Sequence, residues 1–144
     1  MTIVLRNVVV LDSNLVVSAF LNPESVASLA LQIAVEHFDV AASHAILAEL
    51  AGVLKRDKFD RYASKAERIS RLEAYAQAVL VFDVQLEVLD CKNPKDNQFL
   101  ALCTTAKAKV LVTGDKKDLL VMHPYQGTAV LGLRAFVEGF RDYL

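Results

Sequence analysis

Glycine and proline are scarce in this chain, five and three residues of 144, and that scarcity argues against a disordered or low-complexity polypeptide. The two cysteines, Cys91 and Cys103, are too few for a disulfide framework and lack the spacing of a metal site. They read as ordinary semi-buried thiols in a reducing cytosol. Neither sign of charge is in excess. With 16 basic and 17 acidic residues the net charge is -1, which removes the global positive field of a passive nucleic-acid coat protein but leaves room for local basic patches. No apolar run approaches the roughly 18 residues of a membrane span, and Met1–Leu11 contains no small-residue cleavage site. The expectation is a soluble, cytoplasmic protein with no membrane contact. His37, His44 and His123 share no spacing with one another or with a nucleophile, so a serine or cysteine hydrolase has no support.

Hydrophobic residues are plentiful, 54% of the chain, and 144 residues suffice for one domain, 1–144, with a substantial core. Periodicity predicts strands at Ile3 to Leu11, Phe38 to Ala42, Leu80 to Val84, Val110 to Thr113 and Thr128 to Leu131. Between them it predicts helices from Asn14 or Leu15 to Leu21, Pro23 to His37, His44 to Leu54 with Ser43 as N-cap, Ser64 to Val79, Asp96 to Lys107, Lys116 to Val121 as a short turn or helix, and Leu133 to Phe140. Strands and helices alternate from end to end, with no internal repeat or linker. That pattern predicts an α/β fold, a central and mainly parallel sheet of four to five strands between helical layers.

Four acids stand out against this frame. Asp12 ends the apolar run Val8-Val9-Val10-Leu11, and Asp115 follows Val110-Leu111-Val112-Thr113 after Gly114. Both fall at the carboxyl ends of expected buried parallel strands, where open α/β sheets form their ligand crevice. Glu49 and Asp96 would project from helices toward the same place. Four carboxylates held together repel unless a cation joins them, and oxygen ligands suit a hard divalent ion, Mg²⁺ or Mn²⁺. Each acid also has a local reading: Asp12 and Asp96 as helix N-caps, Asp115 as a turn residue, and Glu49 as a solvated side chain on a helix rim.

The ordered set is more specific than its members. Val9-Val10-Leu11-Asp12-Ser13-Asn14-Leu15 resembles the opening motif of PIN-domain proteins, in which a strand ends in Asp-Thr-Asn before a helix. Ala48-Glu49-Leu50, Asp96-Asn97-Gln98-Phe99 and Val112-Thr113-Gly114-Asp115 are similar to the family's remaining acidic motifs, in order, from about Ile3 to Phe140. The likeness is nearest to the VapC type, the toxin component of toxin–antitoxin pairs. Two departures stand beside it: Ser13 replaces the usual Thr, and in Cys91-Lys92-Asn93-Pro94 an Asn replaces a carboxylate.

This resemblance implies a PIN-like three-layer α/β/α sandwich and a metal-dependent ribonuclease. Asp12, Glu49, Asp96 and Asp115 would then serve as catalytic ligands of Mg²⁺ or Mn²⁺, and Asn14, Ser18 and Thr113 would hydrogen-bond those ligands or water. Asp118 either faces the cleft or caps the turn at Leu119, and the cap is favoured. The implied partners are an RNA substrate, a cognate antitoxin protein and a second copy in a homodimer. For RNA contact the basic residues Lys55, Arg56, Lys58, Arg61 and Lys116 are candidates, with Lys65, Arg68 and Arg71 on one helical face beside Arg61. Phe59 and Tyr62 would stack on bases or pack in the core. Asp57, Asp60 and Glu67 interrupt this run, so an ordinary solvated face competes with it. A catalytically silent PIN-like protein-interaction module is the alternative function. A haloacid-dehalogenase-type phosphatase would need an acid where Asn14 stands, and a receiver domain would need an acidic pair near the end of its first strand.

Overall fold

In chain order the elements are β1 (Val8–Leu11), α1 (Ser13–Leu21), α2 (Val26–His37), β2 (Asp39–Ser43), α3 (His44–Leu54), α4 (Lys65–Ala78), β3 (Leu80–Phe82), α5 (Asn97–Ala106), β4 (Val110–Thr113), α6 (Lys117–Leu120), β5 (Ala129–Gly132) and α7 (Leu133–Gly139). They belong to a computed structural model that describes residues 6–114 and 116–144. The expected start of the first strand at Ile3 and the acid Asp115 therefore lie outside the described residues.

The five strands form one sheet in the order β3-β2-β1-β4-β5, and every neighbouring pair is parallel. β1 and β4 are central, and their valines and leucines are covered on both faces: Val9, Val10, Val110, Leu111 and Val112 are all fully buried. Each such side chain contributes roughly 1.5–3 kcal/mol by leaving water. The edge strand β3 is shorter than the Leu80 to Val84 expectation: only Leu80–Phe82 pair with β2, and among the described residues no strand flanks its outer side.

Right-handed crossovers put the helices that follow β1 and β2 on one face and α5, on the return from β3 to β4, on the other. Contacts agree: α1 packs on α2 and α3, α2 on α7, and α5 on β1 and β2. The result is the expected α/β/α sandwich. Serine hydroxyls set three of the seven helix starts. The side chains of Ser25, Ser43 and Ser64 accept the N–H groups of Ser28, Ile46 and Glu67 at the starts of α2, α3 and α4. Ser25 thereby moves the start of α2 past the expected Pro23. α5 ends at Lys107, which adopts the left-handed conformation at φ 54°.

β1 pairs with β2 on one side and β4 on the other, so the winding direction reverses between β1 and β4. In open α/β sheets such a reversal opens a crevice at the carboxyl ends of the two strands. Here those ends carry Asp12 and Thr113, brought side by side by the pairing of Leu11 with Val112.

Candidate active site

Asp12 is wholly buried. One of its carboxylate oxygens, Oδ1, accepts the N–H of Leu15 at 2.7 Å and caps α1. The other, Oδ2, accepts the hydroxyl of Thr113 and the N–H of Gly114 at 3.2 Å. The Asp12 backbone N–H donates to the Val112 carbonyl at 3.1 Å. The capping interpretation of Asp12 is thus correct locally, yet the same side chain also ties the ends of β1 and β4 together across the crevice.

Asp96 differs. It ends a 3-10 turn, Pro94–Asp96, that leads into α5, and it occupies the N-cap position without making a capping bond. Asn93 supplies the local cap instead, its side chain accepting the N–H of Lys95 at 3.2 Å. Asp96 is 1% exposed, and only one of its oxygens is satisfied: Oδ1 accepts from Lys116 Nζ at 2.9 Å, while the buried Oδ2 has no hydrogen-bond partner among the described residues. A buried carboxylate oxygen without a donor is costly. Lys116 is a cation beside an acidic motif that the motif sequences did not reveal as a partner.

Glu49 is exposed on α3 and accepts from Gln98 Nε2 of α5 at 2.6 Å, which holds it across the gap between the two helices. Glu49 and Asp96 share a polar cleft of about 550 Å³ with Asn14, Ser18, Arg56, Lys58 and Lys116. Asn14 and Ser18, both exposed and one turn apart on α1, form one wall without a side-chain hydrogen bond to the carboxylates. A separate groove of about 400 Å³, lined by Phe20, Leu31, Val35 and Tyr75, offers no carboxylate.

Several expected placements change. Asp118 neither caps nor lines the cleft. Lys116 holds the cap position of α6 without a side-chain bond, and Asp118 lies in the first turn, where its carbonyl receives the Cys91 thiol at 3.4 Å. The cysteines are buried rather than semi-buried. Burial, reinforced by the negative charges of Asp96 and Asp118, pushes the Cys91 thiol above its ordinary value. Arg68 is fully buried, and Arg71 donates to the Phe20 carbonyl and pairs with Glu67 at 3.5 Å, so these two are structural and do not form a phosphate-binding face. Lys55 and Arg61 lie outside the walls of the carboxylate cleft. Sequence reasoning missed Gln98 as the tether of Glu49. It directly follows Asp96-Asn97, but nothing in a linear motif reveals that α3 crosses opposite it.

Among the described residues no three His, Cys, Asp or Glu side chains converge as a metal cluster, and Asp115 lies outside that set. The donor chemistry nevertheless fits a hard cation: all candidate ligands are oxygens, and Asp96 Oδ2 lacks a donor.

A parallel sheet wound from the order 3-2-1-4-5, with buried acid at its switch point, defines the class. The PIN-domain family model matches residues 8–117, and the chain belongs to the PIN-domain family. It is similar to the uncharacterized protein MJ1680 of Methanocaldococcus jannaschii, with 29% identity over 114 residues, 78% of this chain and 72% of that protein. Its fold is similar to that in the crystal structure of VapBC2 from Rickettsia felis bound to a DNA fragment from their promoter, with a TM-score of 0.60 and 16% identity over 87% of this chain and 98% of that one.

Proposed function

We propose that this protein is a divalent-metal-dependent ribonuclease that hydrolyses RNA phosphodiester bonds, and that it is the toxin of a toxin–antitoxin pair. PIN domains are generally nucleases and generally use divalent ions. The observation that carries the reading is the buried, donor-less Oδ2 of Asp96 in a polar cleft that also presents Glu49.

Asp12, Glu49, Asp96 and Asp115 would hold the ion, Mg²⁺ or Mn²⁺, directly or through water. When bound, such an ion lowers the pKa of a coordinated water and stabilises charge on the scissile phosphate. The protein's own side chains do the rest. Thr113 and the Gly114 N–H fix the Asp12 carboxylate, Gln98 fixes Glu49, and Asn14 and Ser18 present polar groups to a water or phosphate oxygen. Arg56, Lys58 and Lys116 line the same cleft and would offer positive charge to the RNA backbone. As partners we propose a cognate antitoxin protein, by analogy with the VapBC2 complex whose fold this chain resembles, and a second copy in a homodimer. Among the described residues no single helix is long and apolar enough to cross a membrane.

The test follows degradation of a labelled RNA panel while Mg²⁺ or Mn²⁺ is titrated, with metal binding measured in parallel by calorimetry. Cleavage should require the ion, vanish in chelator, and be lost in Asp12→Asn, Asp96→Asn and Asp115→Asn. Full activity in those variants would falsify the assignment.

One observation favours the alternative, a catalytically silent interaction module: Lys116 already neutralises Asp96 at 2.9 Å. No heat of metal binding, combined with retained antitoxin binding, would select that reading.

A further inference from the structure

The charged stretch between α3 and α4 walls a second concavity, about 470 Å³, lined by Lys58, Phe59, Arg61 and Tyr62. Lys58 and Phe59 belong to the carboxylate cleft as well, so the two depressions share a wall. The acids of this stretch are both occupied. Asp60 meets the buried Arg68 at 3.0 Å, and Asp57 lies 3.8 Å from Lys65. Arg56, Lys58 and Arg61 remain exposed and form no ion pair among the described residues. The alternation of signs in the sequence therefore resolves, in three dimensions, into a cationic rim.

Two cation–aromatic pairs sit on that rim. The Arg61 guanidinium lies 4.8 Å from the centre of the Tyr62 ring and donates to its hydroxyl at 2.7 Å, while Lys58 Nζ lies 5.1 Å from the Phe59 ring. Tyr62 is 52% exposed, so it contributes little to the core. The loop that carries it is nonetheless held: the Tyr62 N–H donates to the Phe59 carbonyl at 3.0 Å, and Arg68, fully buried, donates to the carbonyls of Leu54 at 2.7 Å, Arg56 at 3.3 Å and Ala63. An exposed aromatic on a fixed loop, flanked by cations, is the arrangement on which unpaired bases stack. A duplex hides its base faces and cannot use it.

We propose that residues 55–63 form a subsite for single-stranded RNA, in which an unpaired base stacks on the Tyr62–Arg61 pair and Lys58 takes a backbone phosphate on the wall shared with the carboxylate cleft. This inference rests on the ribonuclease reading and supplies its substrate form: a strand unpaired beside the scissile bond. Phe59 is half-buried and closes the wall, and Tyr62 is the stacking residue.

The experiment is fluorescence anisotropy in EDTA, where no metal-dependent cleavage occurs, using a short fluorescein-labelled single-stranded RNA of mixed sequence and its duplex. The proteins are wild type, Tyr62→Ala, Tyr62→Phe and Arg61→Ala, each checked for unchanged circular dichroism. Tyr62→Ala should weaken single-strand binding about tenfold, Tyr62→Phe should retain it within about twofold, and duplex binding should be insensitive to either change. Wild-type affinity in Tyr62→Ala, equal losses for strand and duplex, or no single-strand binding by the wild type would each overturn the proposal. Failure of the two readings is separable. Strand binding that depends on Tyr62 without any metal-stimulated cleavage removes the ribonuclease and keeps the subsite. Metal-stimulated cleavage with unchanged kcat/KM in Tyr62→Ala does the reverse.

Discussion

Asp12 and Asp96 are both buried carboxylates, yet they carry different loads. Every oxygen of Asp12 is engaged by the fold, to Leu15, Thr113 and Gly114, so Asp12→Asn would turn an amide N–H₂ toward at least one of these donors. That mismatch should cost about 1–3 kcal/mol in stability, read as a lower urea midpoint at unchanged m. Cleavage by Asp12→Asn is therefore read beside its folded fraction, measured in the same buffer. Asp96 is the cleaner probe, since its Oδ2 has no donor to lose. An ion bound at that oxygen stabilises the native state through linkage, by about 2.7 kcal/mol at a concentration 100 times its Kd. Differential scanning calorimetry should show Tm rising with Mn²⁺ for wild type and staying flat for Asp96→Asn; equal shifts in both would place the ion elsewhere. The positions of Asp12 at a strand end and of Asp96 ahead of a helix were legible in the sequence. The occupation of Asp12 and the Lys116 partner of Asp96 were not, because both arise from contacts between segments far apart in the chain: Asp12 with Thr113, and Asp96 with Lys116.

At the level of elements, the segment joining α3 to α4 owes its shape to one side chain. Arg68 sits on a helix whose sequence is rich in charge, and by pattern alone it reads as solvated. It is buried because the loop returns three carbonyls and Asp60 around it, satisfying most of its donors. Arg68→Met should leave those carbonyls without donors and cost about 3 kcal/mol. Hydrogen exchange should then accelerate in residues 55–63 while β1 and β4 keep their protection; uniform acceleration would mean that Arg68 supports the whole core instead. Helix starts such as Ser43 and Ser64 were readable because a cap is a local interaction over three residues. Ser25 displaced the expected start at Pro23 by the same mechanism, one cap outcompeting another signal. β3 ended at Phe82 for a non-local reason, its place at the sheet edge, which alternation of elements cannot disclose.

For the molecule as a whole, the same burial that makes β1 and β4 central also holds weak acids in their neutral forms. Burial pushes the Cys103 thiol from its ordinary 9.0 up to about 12 and raises the Tyr75 phenol. Tyr125 is pushed from 10.0 up to about 12, first by its hydrogen bond to Asp90 at 2.6 Å and then by burial. These groups lie in different parts of the fold, on α5, on α4 and in the segment before β5; burial in the core raises Cys103 and Tyr75, whereas Tyr125 owes its shift first to Asp90. In each case the folded pKa exceeds the unfolded one. Between the two values the native protein holds a proton that the unfolded chain has released, so the slope of stability with pH is negative there. The stabilisation is fully present below about pH 9 for the thiol and about pH 10 for Tyr125, and is lost as pH rises toward 12. Thermal denaturation followed by circular dichroism should give a Tm unaffected by these groups from pH 7 to about 9 and a progressive fall above it. Tyr125→Phe removes one contributor, and its decline between about pH 10 and 12 should be shallower than that of wild type. Parallel curves for the two proteins would show that the Tyr125–Asp90 bond does not hold the phenol's proton in the native state.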